Sequence, residues 1–106
     1  MAWAILIVAS GFEVLMAIGL KWSLGFTRLG GSLLAIAAGT VSMALLALAL
    51  RTLPVGTGYA VWTGLGAVFT ALVGIVALGE SRDALRLAGI AAVVVGVVLL
   101  QLTEPH

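Results

Sequence analysis

Glu13 is the only charged side chain among the first twenty residues, and it sits in the stretch SGFEVLMAIGL (10–20), where every neighbour is apolar or small. Burying a carboxylate in such a run is costly unless it is protonated, paired or hydrated. No lysine or arginine lies at matching depth in any other apolar run of the chain. Two chemistries remain. The carboxyl group can stay protonated and serve as hydrogen-bonding glue between helices. Alternatively its neutralising partner changes, a proton at one time and an organic cation at another. On a helix, Ala9, Ser10 and Ala17 fall at i−4, i−3 and i+4 from Glu13 and are all small, while Met16 falls at i+3. Tyr59 and Trp62 are themselves three apart and share a side, which Thr63 and Gly66 continue. Two aromatics alone read as packing. Beside a lone carboxylate they form a cation box, because ring faces attract cations. Ser42 either orients the carboxylate or bonds its own i−4 carbonyl.

The elements that must position these residues follow from charge placement. Only 8% of the 106 residues are charged and 63% are hydrophobic, against about 25% charged in an ordinary soluble domain. Too few polar groups exist to cover a water-exposed surface, so the solvent read from composition is lipid. Charges divide the chain into four apolar runs: 2–20, 29–50, 53–79 and 84–102, the last with only Arg86 near its start. Backbone polar groups in lipid must be satisfied internally, so each run is expected to be a transmembrane helix. The connections are too short for a second domain, which predicts one up-down-up-down transmembrane domain over 1–106. Pro54 stands at the entry of the third helix, where its missing N–H costs little.

Other classes fall away. The chain has no cysteine, so no disulfide framework or thiolate metal site is expected. The single histidine, His106, is the last residue and reads as a chain end rather than a ligand. No metal and no cofactor are expected, and no enzymatic activity. With a net charge of +1 and no basic patch, a nucleic-acid partner is not expected. The first run has no basic segment before it and carries an acid, so it reads as part of the mature protein and not as a cleaved signal.

Fourteen glycines are present. In membranes, small residues let helix backbones approach closely. Gly89 and Gly96 are seven apart and share a face with Ala92 and Val93 nearby; the stripe is either a helix contact between subunits or the glycine scatter common in membrane spans. Loops one and three together carry Lys21, Arg28, Arg82 and Arg86, whereas the opposite side holds only Arg51. This asymmetry places loops one and three in the cytoplasm and both termini outside. Four helices are too thin to enclose a solute path, but two copies would bring two Glu13 side chains together. Their titrations would then couple, and a proton and a cation would compete for the same carboxylates.

With these residues in place, the chain resembles the small multidrug resistance family along essentially its whole length. The likeness rests on Glu13 within FEVLMAIGLKWS, GFTRL (25–29), LPVGTGYAVWTGLGAV (53–68), LGES (78–81) and the glycines of the fourth helix. Thr57, Trp62 and Thr63 in the third run resemble the guanidinium-exporter subgroup more than the polyaromatic multidrug subgroup. The resemblance implies an antiparallel dimer and proton-coupled antiport at Glu13 in the bacterial cytoplasmic membrane. It further implies a substrate-site wall at Trp62, a gating or hydrogen-bonding role for Tyr59, and a glutamate-orienting role for Ser42. It places a kink at Gly64-Leu65-Gly66 and a dimer contact at Gly89 and Gly96. Ser10, Met16 and Thr63 are expected to line the same site.

Three departures shape the functional expectation. Met16 stands where the guanidinium subgroup commonly has tryptophan, and its flexible thioether implies a looser pocket. Gln101 replaces a lysine common near the end of helix four. The four-to-one charge count differs from the near balance of dual-orientation members and points to a sister subunit of opposite orientation. The leading expectation is a proton-coupled exporter of guanidinium or small substituted guanidinium cations. The alternatives are a broad exporter of quaternary ammonium cations, one subunit of a paired exporter, and a non-transporting membrane scaffold.

Overall fold

The computed structural model of the chain describes residues 1–103, and His106 lies outside them. Four helices account for most of these residues: α1 (Ala2–Trp22), α2 (Leu29–Ala49), α3 (Val55–Ala77) and α4 (Ala84–Thr103). All four are long and apolar enough to cross a membrane. At 1.5 Å rise per residue each is about 30 Å long, the thickness of a bilayer's hydrocarbon.

Local chemistry sets the ends. Lys21 lies in the last turn of α1, where a cation suits the negative end of the helix dipole. α3 begins at Val55, two residues later than the apolar run, because Pro54 is its N-terminal cap; Leu53 before it is buried in a turn, with its amide on the Ala49 carbonyl. α3 ends at Ala77, and Gly79 then adopts φ +69°, a left-handed turn that glycine makes without steric cost. α4 is started by Asp83, whose carboxylate accepts the Arg86 amide at 2.9 Å, the expected bond of an N-cap aspartate.

α1 packs against both α2 and α3, while α4 packs against α3 alone. The α1–α2 contact is backbone against backbone. A Cβ on Gly19 would meet the Ala35 amide nitrogen and the Gly31 carbonyl, and one on Gly31 would fall on the Ser23 amide and the Gly19 carbonyl. The apolar core is Leu6, Ala9, Leu46, Ala49, Leu53, Val61 and Trp62, with Val97 and Leu100 of α4 against it. None of α4's spanning window is buried. The chain is a slab 43 × 34 × 17 Å. At 8–10 Å between packed helices, 17 Å leaves no room for an enclosed channel.

Candidate functional site: a carboxylate without a partner

Glu13 lies midway along α1, and its side chain reaches α3 at Gly66. The carboxylate occupies the space a Cβ on Gly66 would fill, with all three carboxylate atoms against that position. Glycine at 66 is thus a steric requirement of the carboxylate's placement. Glu13 Oε1 is buried and has no hydrogen-bond partner. Leaving a buried acceptor unsatisfied costs about 1–3 kcal/mol, and such groups in a native fold call for a specific cause. Among the described residues the only recorded ion pair, Arg86 with Glu80, is elsewhere.

A hydrogen-bonded chain runs beside it. The Trp62 indole Nε1–H donates to Ser42 Oγ at 2.9 Å, and the Ser42 hydroxyl donates to the Ala9 carbonyl at 2.6 Å. Ser10 donates to the Leu6 carbonyl at 2.8 Å and approaches the Trp62 carbonyl at 3.5 Å. Three helices are linked through these groups, one turn before Glu13. Trp62, Ser42 and Ser10 are all buried. Tyr59 meets Trp62 edge to face with centroids 5.3 Å apart, and its ring is exposed.

The structure therefore gathers Glu13, Ser10, Ser42, Tyr59, Trp62 and Gly66 into one region, with two differences from the sequence reading. Ser42 bonds neither the Glu13 carboxylate nor its own i−4 carbonyl; it spends its hydrogen on α1's backbone and accepts from Trp62, which fixes the indole. Thr63 is exposed, as is Tyr59 one turn before it, and it does not join the buried Ser42–Trp62 group. Met16 lies with its thioether against Gly39 of α2. α3 is one helix through Gly64 and Gly66; Gly64 admits Val93 and Val97 of α4, while Gly66 admits Glu13. Gly89 and Gly96 face open space.

Several contributors were not singled out from sequence: the Ala9 carbonyl, Gly19, Gly31, Ala35 and Gly39. A signal for three of them exists, since Gly31, Ala35 and Gly39 recur every four residues as a small-residue stripe on α2. The Ala9 carbonyl has no side-chain signature at all.

Four helices of spanning length, with a half-buried acid between them whose Oε1 has no hydrogen-bond partner, define an integral membrane protein. Residues 1–95 match the Small Multidrug Resistance protein family, and the chain belongs to that family. Over 103 residues it is 53% identical to the guanidinium exporter of Escherichia coli (strain K12), covering 97% of this chain and 98% of the relative. The guanidinium exporters of Citrobacter freundii and Salmonella typhimurium are each 52% identical over the same shares. With four apolar helices and these bacterial relatives, the chain is a multi-pass protein of the bacterial inner membrane.

Proposed function

We propose that the protein exports guanidinium or small substituted guanidinium cations in exchange for protons, with Glu13 as the shared binding group. The observation that carries this reading is the buried Glu13 oxygen without a hydrogen-bond partner. A resident base would hold the carboxylate charged permanently, whereas an open oxygen takes either a proton or a donor brought by a solute. Guanidinium has planar N–H donors that match a carboxylate bidentately. Trp62, fixed by Ser42, and Tyr59 supply ring surface for the cation. The likeness to guanidinium exporters supports the same substrate class. The activity is movement of a solute, with no bond made or broken in it.

The functional unit in this reading is an antiparallel dimer. A slab 17 Å thick gains an enclosed path only with a second subunit, and the outward stripe of Gly89 and Gly96 on α4 offers a close helix contact. The four-to-one distribution of Lys and Arg supports a fixed orientation for this chain, in which case a sister subunit supplies the opposite one. Met16 supports some breadth of substrate, since an unbranched thioether repacks around different solutes.

Transport currents on proteoliposomes test the assignment. Guanidinium and guanylurea-type cations are expected to give currents driven by an opposing proton gradient. Tetramethylammonium, which donates no N–H bond, is expected to give at most a tenth of the response. Equal currents from both would move the assignment to a quaternary ammonium exporter. Because proton and cation occupy the same oxygens, lowering the pH should weaken apparent cation affinity; an affinity independent of pH would separate the two sites. Activity of this chain reconstituted alone would remove the need for a sister subunit.

A further inference from the structure

The connection between α1 and α2 has an unusual build. Leu24, Gly25 and Phe26 take φ values of +48°, +73° and +65° in succession. Two of these are not glycine, and left-handed backbone is strained for side chains with a Cβ. Ser23 holds the turn. Its hydroxyl donates to the Leu20 carbonyl at 2.7 Å and accepts the Phe26 amide at 3.1 Å, while its carbonyl accepts the Thr27 and Arg28 amides at 2.8 and 2.9 Å. Ser23 is 1% exposed, whereas Trp22, Leu24 and Phe26 are each 57–58% exposed. The turn thus holds an apolar, aromatic tip outward from a rigid base at the end of a membrane span.

Its charge is equally distinctive. Lys21 and Arg28 flank the tip, both exposed, with no acid between them. The α3–α4 connection balances Arg82 and Arg86 against Glu80 and Asp83, and Arg86 is bonded to Glu80 at 2.6 Å. The α2–α3 connection holds the single cation Arg51. Among the described residues, then, paired cations without acids occur only at the α1–α2 turn. Aromatic rings seat at the headgroup level of a bilayer, and juxtamembrane cations attract anionic lipids.

We propose that this turn is a contact site for anionic phospholipid. Trp22 and Phe26 sit at the lipid glycerol level, and Lys21 and Arg28 hold the anionic headgroups of the surrounding leaflet. The site is separate from Glu13 and does not depend on what the protein transports.

The test is quenching of Trp22 by brominated lipids in vesicles containing the full chain, with the Trp22 signal isolated by difference from Trp22→Phe. Brominated phosphatidylglycerol should quench more strongly than brominated phosphatidylcholine at equal mole fraction, with a preference of about fivefold for each engaged cation. Lys21→Gln/Arg28→Gln should bring the ratio to about one while leaving phosphatidylcholine quenching unchanged. In the unaltered protein, 1 M salt should do the same, because screening then acts within about 3 Å. Equal quenching by the two lipids, or a preference that survives both the double substitution and the salt, overturns the proposal.

Discussion

α1 and α2 meet backbone to backbone through Gly19, Gly31 and Ala35, whereas α4 leans on α3 alone and buries none of its spanning window. Lipid tails are as apolar as leucine, so apolar side chains by themselves give membrane helices no reason to associate. Close backbone approach and shared hydrogen bonds do, and the first hairpin has both: the glycine contact at one end and the Ser42–Ala9 bond further along. α4 has instead a capped start at Asp83, an ion pair at its base and a face of Gly89 and Gly96 directed at nothing in this chain. The first hairpin, with the middle of α3, therefore forms the packed frame around the carboxylate, and α4 leaves its glycine face uncovered within the chain.

The largest effect expected from any single change is at the acid itself. Glu13→Gln should abolish proton-coupled transport, since an amide neither exchanges a proton at neutral pH nor balances a cation, while the helices still form and insert. Proteoliposome currents indistinguishable from wild type would remove Glu13 from the mechanism. Glu13→Asp keeps the charge and should retain coupled transport at a reduced rate.

The packing contrast itself breaks next. Gly31→Ala puts a methyl group onto the Ser23 amide and the Gly19 carbonyl, backbone atoms that cannot rotate away. Overpacking of this kind costs about 1–3 kcal/mol, so the substitution should lower the thermal midpoint in detergent by several degrees. Gly89→Ala adds the same methyl where nothing lies within 4 Å and should leave the unfolding of a single chain unchanged. Equal destabilisation by both would mean that α4 is packed as tightly as α2.

Gly66→Ala separates steric admission of the carboxylate from helix packing. The new methyl falls on the Glu13 carboxylate, whereas the one in Gly64→Ala meets Val97 and Val93 methyl groups at 3.2 and 3.3 Å. Apparent guanidinium affinity should fall about tenfold in the first, corresponding to about 1.4 kcal/mol, and its pH dependence should shift. The second should change stability slightly and the pH profile not at all.

These contrasts also mark what the sequence disclosed. Four helices were legible because charges fall only at their ends, and in lipid the helix is the one form such runs can take. Glu13 was legible because a lone acid in an apolar run has few explanations. The partner of Ser42 was not, because a hydroxyl can donate to any carbonyl within reach and the Ala9 carbonyl carries no side-chain mark. Thr63 lies exposed with Tyr59 four residues earlier, and sequence does not say which side of α3 the rest of the chain covers. Gly64 and Gly66 look alike in sequence, yet one faces α4 and the other Glu13. Only the three-dimensional arrangement assigns each its neighbour.

The smallest expected effect lies at the base of α4. Arg86 donates to Glu80 at 2.6 Å with both side chains about a third exposed, and pairs of that exposure contribute about 0.2–1 kcal/mol. Glu80 is also held by its amide, bonded to the Gly74 carbonyl at 3.0 Å, and its carboxylate packs in the space left by the missing side chain of Gly74. Glu80→Gln keeps the shape and removes the charge, so the thermal midpoint should fall by no more than about two degrees, less still in high salt. If α4 depends on this pair for its place beside α3, the loss will instead be large and hydrogen exchange will rise along α4 alone. That outcome would show that the position of α4 is set by a contact within the chain, and it would count against the subunit contact proposed for Gly89 and Gly96.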